Sequence, residues 1–140
     1  MECKILDDTS ILVRLDPDDE ICAALRQVAQ QERIELAKVQ GLGAVKRVVM
    51  GVYNVTTQQY KANTVEGVFE MLSLTGTLDT MNDEPYSHLH IVIGDEQGHA
   101  YGGHLNEAVV SATAEIVLTM LPGKIDRKKS AQTGLNVWKF

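Results

Sequence analysis

Apolar positions along the chain follow two periods. Ile21, Leu25 and Val28, with Ala24 and Ala29 beside them, recur at helical spacing, while Arg26, Gln27, Gln30 and Gln31 mostly face away. Just upstream, Asp16-Pro17-Asp18-Asp19-Glu20 offers an N-cap, a proline for the first helical position and three carboxylates for the positive end of the helix dipole. Together these signals predict one amphipathic helix over about 17–32.

The remaining apolar residues read as strands. Segments 11–15, 36–39, 46–54, 69–78, 86–94, 99–105, 109–120 and 135–140 are rich in Val, Ile, Leu, Thr and Tyr, and Gly, Asn, Asp or Pro separates most of them. Seven to eight strands stand against one helix, and no crossover helices separate the strands. The pattern therefore predicts an α+β fold: a mostly antiparallel sheet with the helix covering one face. Some strands carry apolar residues on both faces. Phe69 and Met71 alternate with Leu72 and Leu74, and Leu89, Ile91 and Ile93 alternate with His88, His90 and Val92. One helix is too little cover for all of these, so a second copy of the chain is the expected second layer, which predicts a homo-oligomer.

Composition narrows the picture. At 140 residues, with 44% hydrophobic and 23% charged residues, the chain has room for a single domain over 1–140 and no disorder signature. Thirteen Lys and Arg against 19 Asp and Glu give a net charge of −6, which opposes attraction to phosphate. Nucleic acid is thus a disfavoured partner for the isolated domain. A short basic cluster, Lys124, Arg127, Lys128 and Lys129, reads as a solvated loop. Neither a signal peptide nor an apolar run of membrane-spanning length is present, which points to the cytoplasm and away from a membrane. Cys3 and Cys22 lack any paired spacing and read as two reduced, buried thiols.

The candidate chemistry lies in one stretch. All four histidines, His88, His90, His99 and His104, fall between Tyr86 and Leu105. Side chains two apart on a strand share a face, so His88 and His90 project together, a common way to offer two imidazoles to a transition metal. Asp95-Glu96-Gln97-Gly98 resembles a three-residue hairpin loop in which glycine takes the left-handed position. With Glu96, Gln97 and Gly98 as the loop, Asp95 faces His99, and the register then sets His104 opposite His90 and pairs Leu89 with Leu105 on the other face. Two alternating histidines can also be satisfied polar residues of a sheet face. A third in register favours a metal site of His88, His90 and His104, with at least one coordination position open and zinc the foremost metal. His99 falls on the opposite parity and reads as a solvated turn residue.

Four motifs in order, Gly41-Leu42-Gly43-Ala44-Val45, the segment from Gly67 to Leu78, His88-Leu89-His90-Ile91 and Gly102-Gly103-His104-Leu105, resemble the plants-and-prokaryotes-conserved (PPC) domain family. The resemblance spans about 10–120. It implies a largely antiparallel sheet with one flanking helix, a trimer, and the metal positions His88, His90 and His104. Plant members carry an AT-hook for DNA, which this chain lacks, and its full histidine set places it with the prokaryotic branch.

Glu70 is the other residue of interest, since a carboxylate sharing a face with Leu72 and Leu74 is costly unless paired or coordinated. It can serve as a partner to a ligand histidine, as a general base, or as an ion pair holding the trimer. Gly102 and Gly103 allow close backbone approach near His104 or mark a bulge. Three function classes follow. First is a homotrimeric metal-binding protein without an assigned role or small-molecule ligand. Second is a metal-dependent enzyme using the open position with Glu70 as base. Third is a DNA-binding or transcription-regulatory protein, by family analogy alone.

Overall fold

The computed structural model describes residues 1–140. Eight strands and one helix follow in the order β1 (Glu2–Asp7), β2 (Ser10–Leu15), α1 (Ile21–Gln31), β3 (Ala37–Asn54), β4 (Gln59–Met81), β5 (Glu84–Gly94), β6 (Ala100–Met120), β7 (Asp126–Lys129) and β8 (Asn136–Lys139). All belong to one mostly antiparallel sheet, so the fold is α+β as the pattern predicts.

Three long strands dominate, and their pairing closes on itself. β3 pairs with β4, β4 with β5, β5 with β6, and β6 returns to β3. The first pair β1–β2 extends the circuit beyond β6, while β7–β8 attaches to β4 by a single parallel pairing, Thr80 with Asp126. Segments 36–39 and 46–54 join into β3, and 99–105 and 109–120 into β6, because bulges absorb what the sequence reads as breaks. In β3 they fall between Gly41 and Gly43 and between Val45 and Arg47.

The helix begins later than the sequence predicts. Glu20, in an extended conformation, is the N-cap, and its carboxylate accepts from the backbone N–H groups of Cys22 (2.9 Å) and Ala23 (2.6 Å). Asp16-Pro17-Asp18-Asp19 instead forms a turn, with Asp19 N donating to Asp16 O at 3.1 Å and Asp18 at φ +74. Proline suits the second position of such a turn and aspartate tolerates the left-handed third, so the same residue types signal a turn as well as a helix start. No acidic residue occupies the first turn of α1.

One cluster of 27 buried apolar residues joins α1 to β2–β6. Within the single chain, Met71, Leu74, Leu89, Ile91 and Ile93 are all buried, which corrects the expectation that a second copy is needed to cover them. The physical reason is closure of the sheet, which folds its own apolar face inward. A bulge between Met71 and Ser73 leaves Leu72 outside, 58% exposed, with Leu42 at 58% and Val68 at 71%.

Two further expectations change. Cys3 is exposed on the edge strand β1, whereas Cys22 is buried in α1, where burial and then Glu20 push its thiol up to about 12. The basic cluster is no solvated loop. Arg127, Lys128 and Lys129 lie on β7, and Arg127 is buried against Asp79, while Lys124 stays exposed ahead of the strand.

Candidate metal centre

The turn between β5 and β6 sets the histidine geometry. Gly98 lies at φ +85, Gly98 N donates to Asp95 O (3.0 Å), and Asp95 N donates to His99 O (3.0 Å), closing the three-residue loop. The Asp95 carboxylate braces the turn by accepting from Gln97 N at 3.0 Å, His99 N at 2.9 Å and Tyr101 Oη at 3.0 Å. From there the ladder runs through Gly94–Ala100 to His90–His104, the register read from the loop length.

At His104 the ladder stops. His104 pairs with His90 of β5 and with Gly51 of β3, and beyond it β6 keeps only the β3 pairing, with Leu105 opposite Met50, so the Leu89–Leu105 ladder pair does not form. Both leucines are nevertheless buried. The β3 pairing brings β6 tightly over β3, where a Cβ on Gly103 would stand 2.7 Å from Gly51 O. Gly103 therefore supplies close backbone approach. Gly76 does the same for β5, since its Cβ would stand 1.9 Å from the His88 carbonyl oxygen.

His88, His90 and His104 converge, with ring centroids 5.3 Å, 5.3 Å and 5.6 Å apart for the pairs 88–90, 88–104 and 90–104. Each offers one ring nitrogen, and the three lie within 4.8 Å of one another. His99 is exposed and is the only histidine whose ring bonds to another side chain, Nδ1 to Asp95 Oδ2 at 3.2 Å. Burial, then Arg127 and the neighbouring His104 and His90, lower the pKa of His88, while burial and then His90 lower that of His104. Both shifts favour the neutral imidazole, the form in which a ring nitrogen has a lone pair to give. Three converging imidazoles, His88 and His104 half-buried and His90 exposed, none bonded to another side chain, fit a transition metal, which would take them as three ligands and leave a position for water or a small ligand.

Glu70 is not brought to this group. It pairs with Gly94 while Thr75 pairs with His90, which puts it about four residues, or roughly 13 Å, further along the sheet. The Met71–Ser73 bulge also removes it from the buried face, so Glu70 is exposed and makes no side-chain hydrogen bond or ion pair, and the expected burial cost is absent.

Two neighbours of the histidines carry no sequence signal. Tyr60, from the far end of β4, sets its ring edge to face against His104 at 6.1 Å. Beside His88, Arg127 binds both carboxylate oxygens of Asp79 at 2.7 Å, donates to Asn136 O at 3.0 Å and to Thr77 Oγ1 at 3.3 Å, and stacks on Tyr86 at 4.8 Å. Trp138 Nε1 donates to the same carboxylate at 2.9 Å. Neither was reachable from local spacing, because the partners meet only through strand pairing.

The sequence profile of the Plants and Prokaryotes Conserved (PCC) domain matches residues 6–122. The chain belongs to this family. Solved structures agree, among them the plant- and prokaryote-conserved (PPC) protein of Pyrococcus horikoshii, 29% identical, with a TM-score of 0.86 over 99% of this chain and 94% of that one. A metal-containing protein of Archaeoglobus fulgidus is 28% identical, with a TM-score of 0.88 over 100% of this chain and 99% of that one. A candidate DNA-binding protein of Bacteroides thetaiotaomicron is also 28% identical, with a TM-score of 0.95 over 99% and 96%. No protein of curated function matches this PPC-domain chain in sequence.

Proposed function

We propose that this PPC-domain protein is a homotrimeric, cytoplasmic metal-binding protein that holds one divalent transition metal, zinc, per chain on His88, His90 and His104. The observation that carries this reading is the convergence of three imidazoles, each with a ring nitrogen within 4.8 Å of the others and none bonded to another side chain. The metal-containing Archaeoglobus fulgidus relative supports it. A set of three nitrogens without thiolate suits zinc and leaves a coordination position open, the arrangement of a reactive more than a purely structural ion. For the trimer, the support is Leu12, Leu42, Leu72 and Val117, which line one exposed groove and gain by burial against another copy. No helix is long and apolar enough to cross a membrane.

Metal analysis of purified protein tests the reading. About one zinc per chain is expected in the wild type, and His90→Ala should lose most of it, because two imidazoles retain little of a tridentate site's affinity. Stoichiometric zinc in His90→Ala would refute the assignment.

An enzymatic reading rests on the open position, and it requires a base near the metal. Glu70 can serve only if a neighbouring chain presents it, given its distance along the sheet from His90. Turnover that disappears on chelation and with Glu70→Gln would favour it. A DNA-linked reading rests on the Bacteroides thetaiotaomicron relative and is opposed by the net charge of −6. Lys124 is paired with Asp83 and Arg127 with Asp79, so only Lys128 and Lys129 of the basic cluster remain free.

A further inference from the structure

Tyr60 reaches the histidines across an opening made by a glycine. Gly51 lies in β3 between its two partners, Ala62 of β4 and His104 of β6. A Cβ on Gly51 would stand 2.3 Å from the Lys61 carbonyl oxygen and 2.7 Å from both Cζ and Oη of Tyr60, so the missing side chain admits both the close approach of β4 and the end of the Tyr60 ring. Its hydroxyl thereby crosses one strand and arrives at β6. There the single phenolic proton is shared between the main-chain oxygen of His104, at 3.3 Å, and the Asn106 side-chain oxygen. The ring meets the His104 imidazole at an interplanar angle of 89°.

His104 is the ligand that most needs such a hold. The β5–β6 ladder ends at it, and the β6–β3 register shifts between Met50–Leu105 and Val49–Glu107, leaving Asn106 as the extra residue of a bulge. A ligand at the last pair of one ladder, with a bulge two residues on in the other, is not fixed by regular pairing alone. Tyr60 grips both sides of that irregularity, the His104 carbonyl and the Asn106 amide, and presses on the imidazole itself.

We infer that Tyr60 is a positioning residue for the metal, acting through His104, with Gly51 providing the passage. The inference rests on the three-histidine reading. Groups that orient a ligand imidazole commonly change metal affinity by about 10–100-fold when removed.

The test uses the intact protein loaded with zinc, and with cobalt(II) for its visible spectrum. Tyr60→Phe keeps the ring over Gly51 and loses only the hydroxyl. Tyr53→Phe is the control, because Tyr53 pairs with Tyr60 across β3–β4 and its hydroxyl donates to Thr133 O at 2.7 Å, away from the histidines. Chelator competition should show zinc bound about tenfold more weakly by Tyr60→Phe, with altered cobalt bands, and Tyr53→Phe unchanged in both. Zinc affinity within about twofold of wild type and an unchanged cobalt spectrum in Tyr60→Phe would overturn the inference while leaving the metal site standing. Equal weakening in both variants would also overturn it, since that reports general loosening of the β3–β4 hairpin. A wild-type chain that binds no stoichiometric zinc overturns the metal reading itself, and the inference with it.

Discussion

The three histidines and the Arg127–Asp79 cluster occupy adjoining stretches of the same strands, yet they treat polar groups in opposite ways. Arg127 and Asp79 are 5% and 1% exposed, and Asn136, Thr77 and Trp138 take up the bonds they do not make with each other. No buried side-chain nitrogen or oxygen in the protein lacks a partner. Two residue pairs along from Asp79–Tyr86, where Thr77 faces His88, the imidazoles are only half-buried or exposed and bond to no side chain. A polar cluster closed on itself holds structure together. One left open on converging lone pairs is built for something outside the chain.

This contrast predicts a graded set of effects. Arg127→Ala strands the Asp79 carboxylate without its charge partner in the interior, and urea unfolding should show a loss of about 3–5 kcal/mol. A loss below about 1 kcal/mol would mean that water reaches Asp79 and that the cluster is not closed. The histidines should behave in reverse. Metal-free His90→Ala should unfold within about 0.5 kcal/mol of metal-free wild type, because the ring is exposed and unbonded. Zinc at about 100 times its dissociation constant should stabilise the wild type by about 2.7 kcal/mol and the variant hardly at all. A large loss in the metal-free variant would show the histidines to be structural after all.

Between these extremes stands Glu20, half-buried, whose carboxylate caps α1 and also accepts from Ala108 N at 3.1 Å. Glu20→Ala should cost about 1–2 kcal/mol, measurable by thermal unfolding, and an unchanged midpoint would remove the cap from the account. The smallest effect belongs to the exposed Lys124–Asp83 pair, 2.7 Å apart. Asp83→Asn should change stability by less than about 1 kcal/mol, and the change should fade in high salt.

The site was more legible than its surroundings, and the reason is locality. The His90–His104 pairing follows from a three-residue loop and the two-residue period of a strand, both contained between residues 88 and 104. Closure of the sheet depends instead on Gly51 of β3 meeting His104 of β6, residues far apart in the chain whose approach no periodicity announces. For the same reason the burial of Leu74 and Ile91 looked like a surface awaiting a partner. β1 and β7 escaped notice because their burial does not alternate, all six residues of β1 being exposed. The turn at Asp16–Asp19 shows the other limit: proline flanked by aspartates satisfies the rules for two structures, and the contact of Asp18 N with Val110 O at 3.0 Å belongs to one of them.

The central claim is that three imidazoles hold one metal ion, and anomalous scattering from crystals of the zinc-loaded protein, measured above and below the zinc absorption edge, addresses it most directly. The account predicts one strong peak per chain, about 2.0–2.1 Å from a ring nitrogen of each of His88, His90 and His104. Full-occupancy zinc bound elsewhere, or no anomalous density among these three residues, would contradict it.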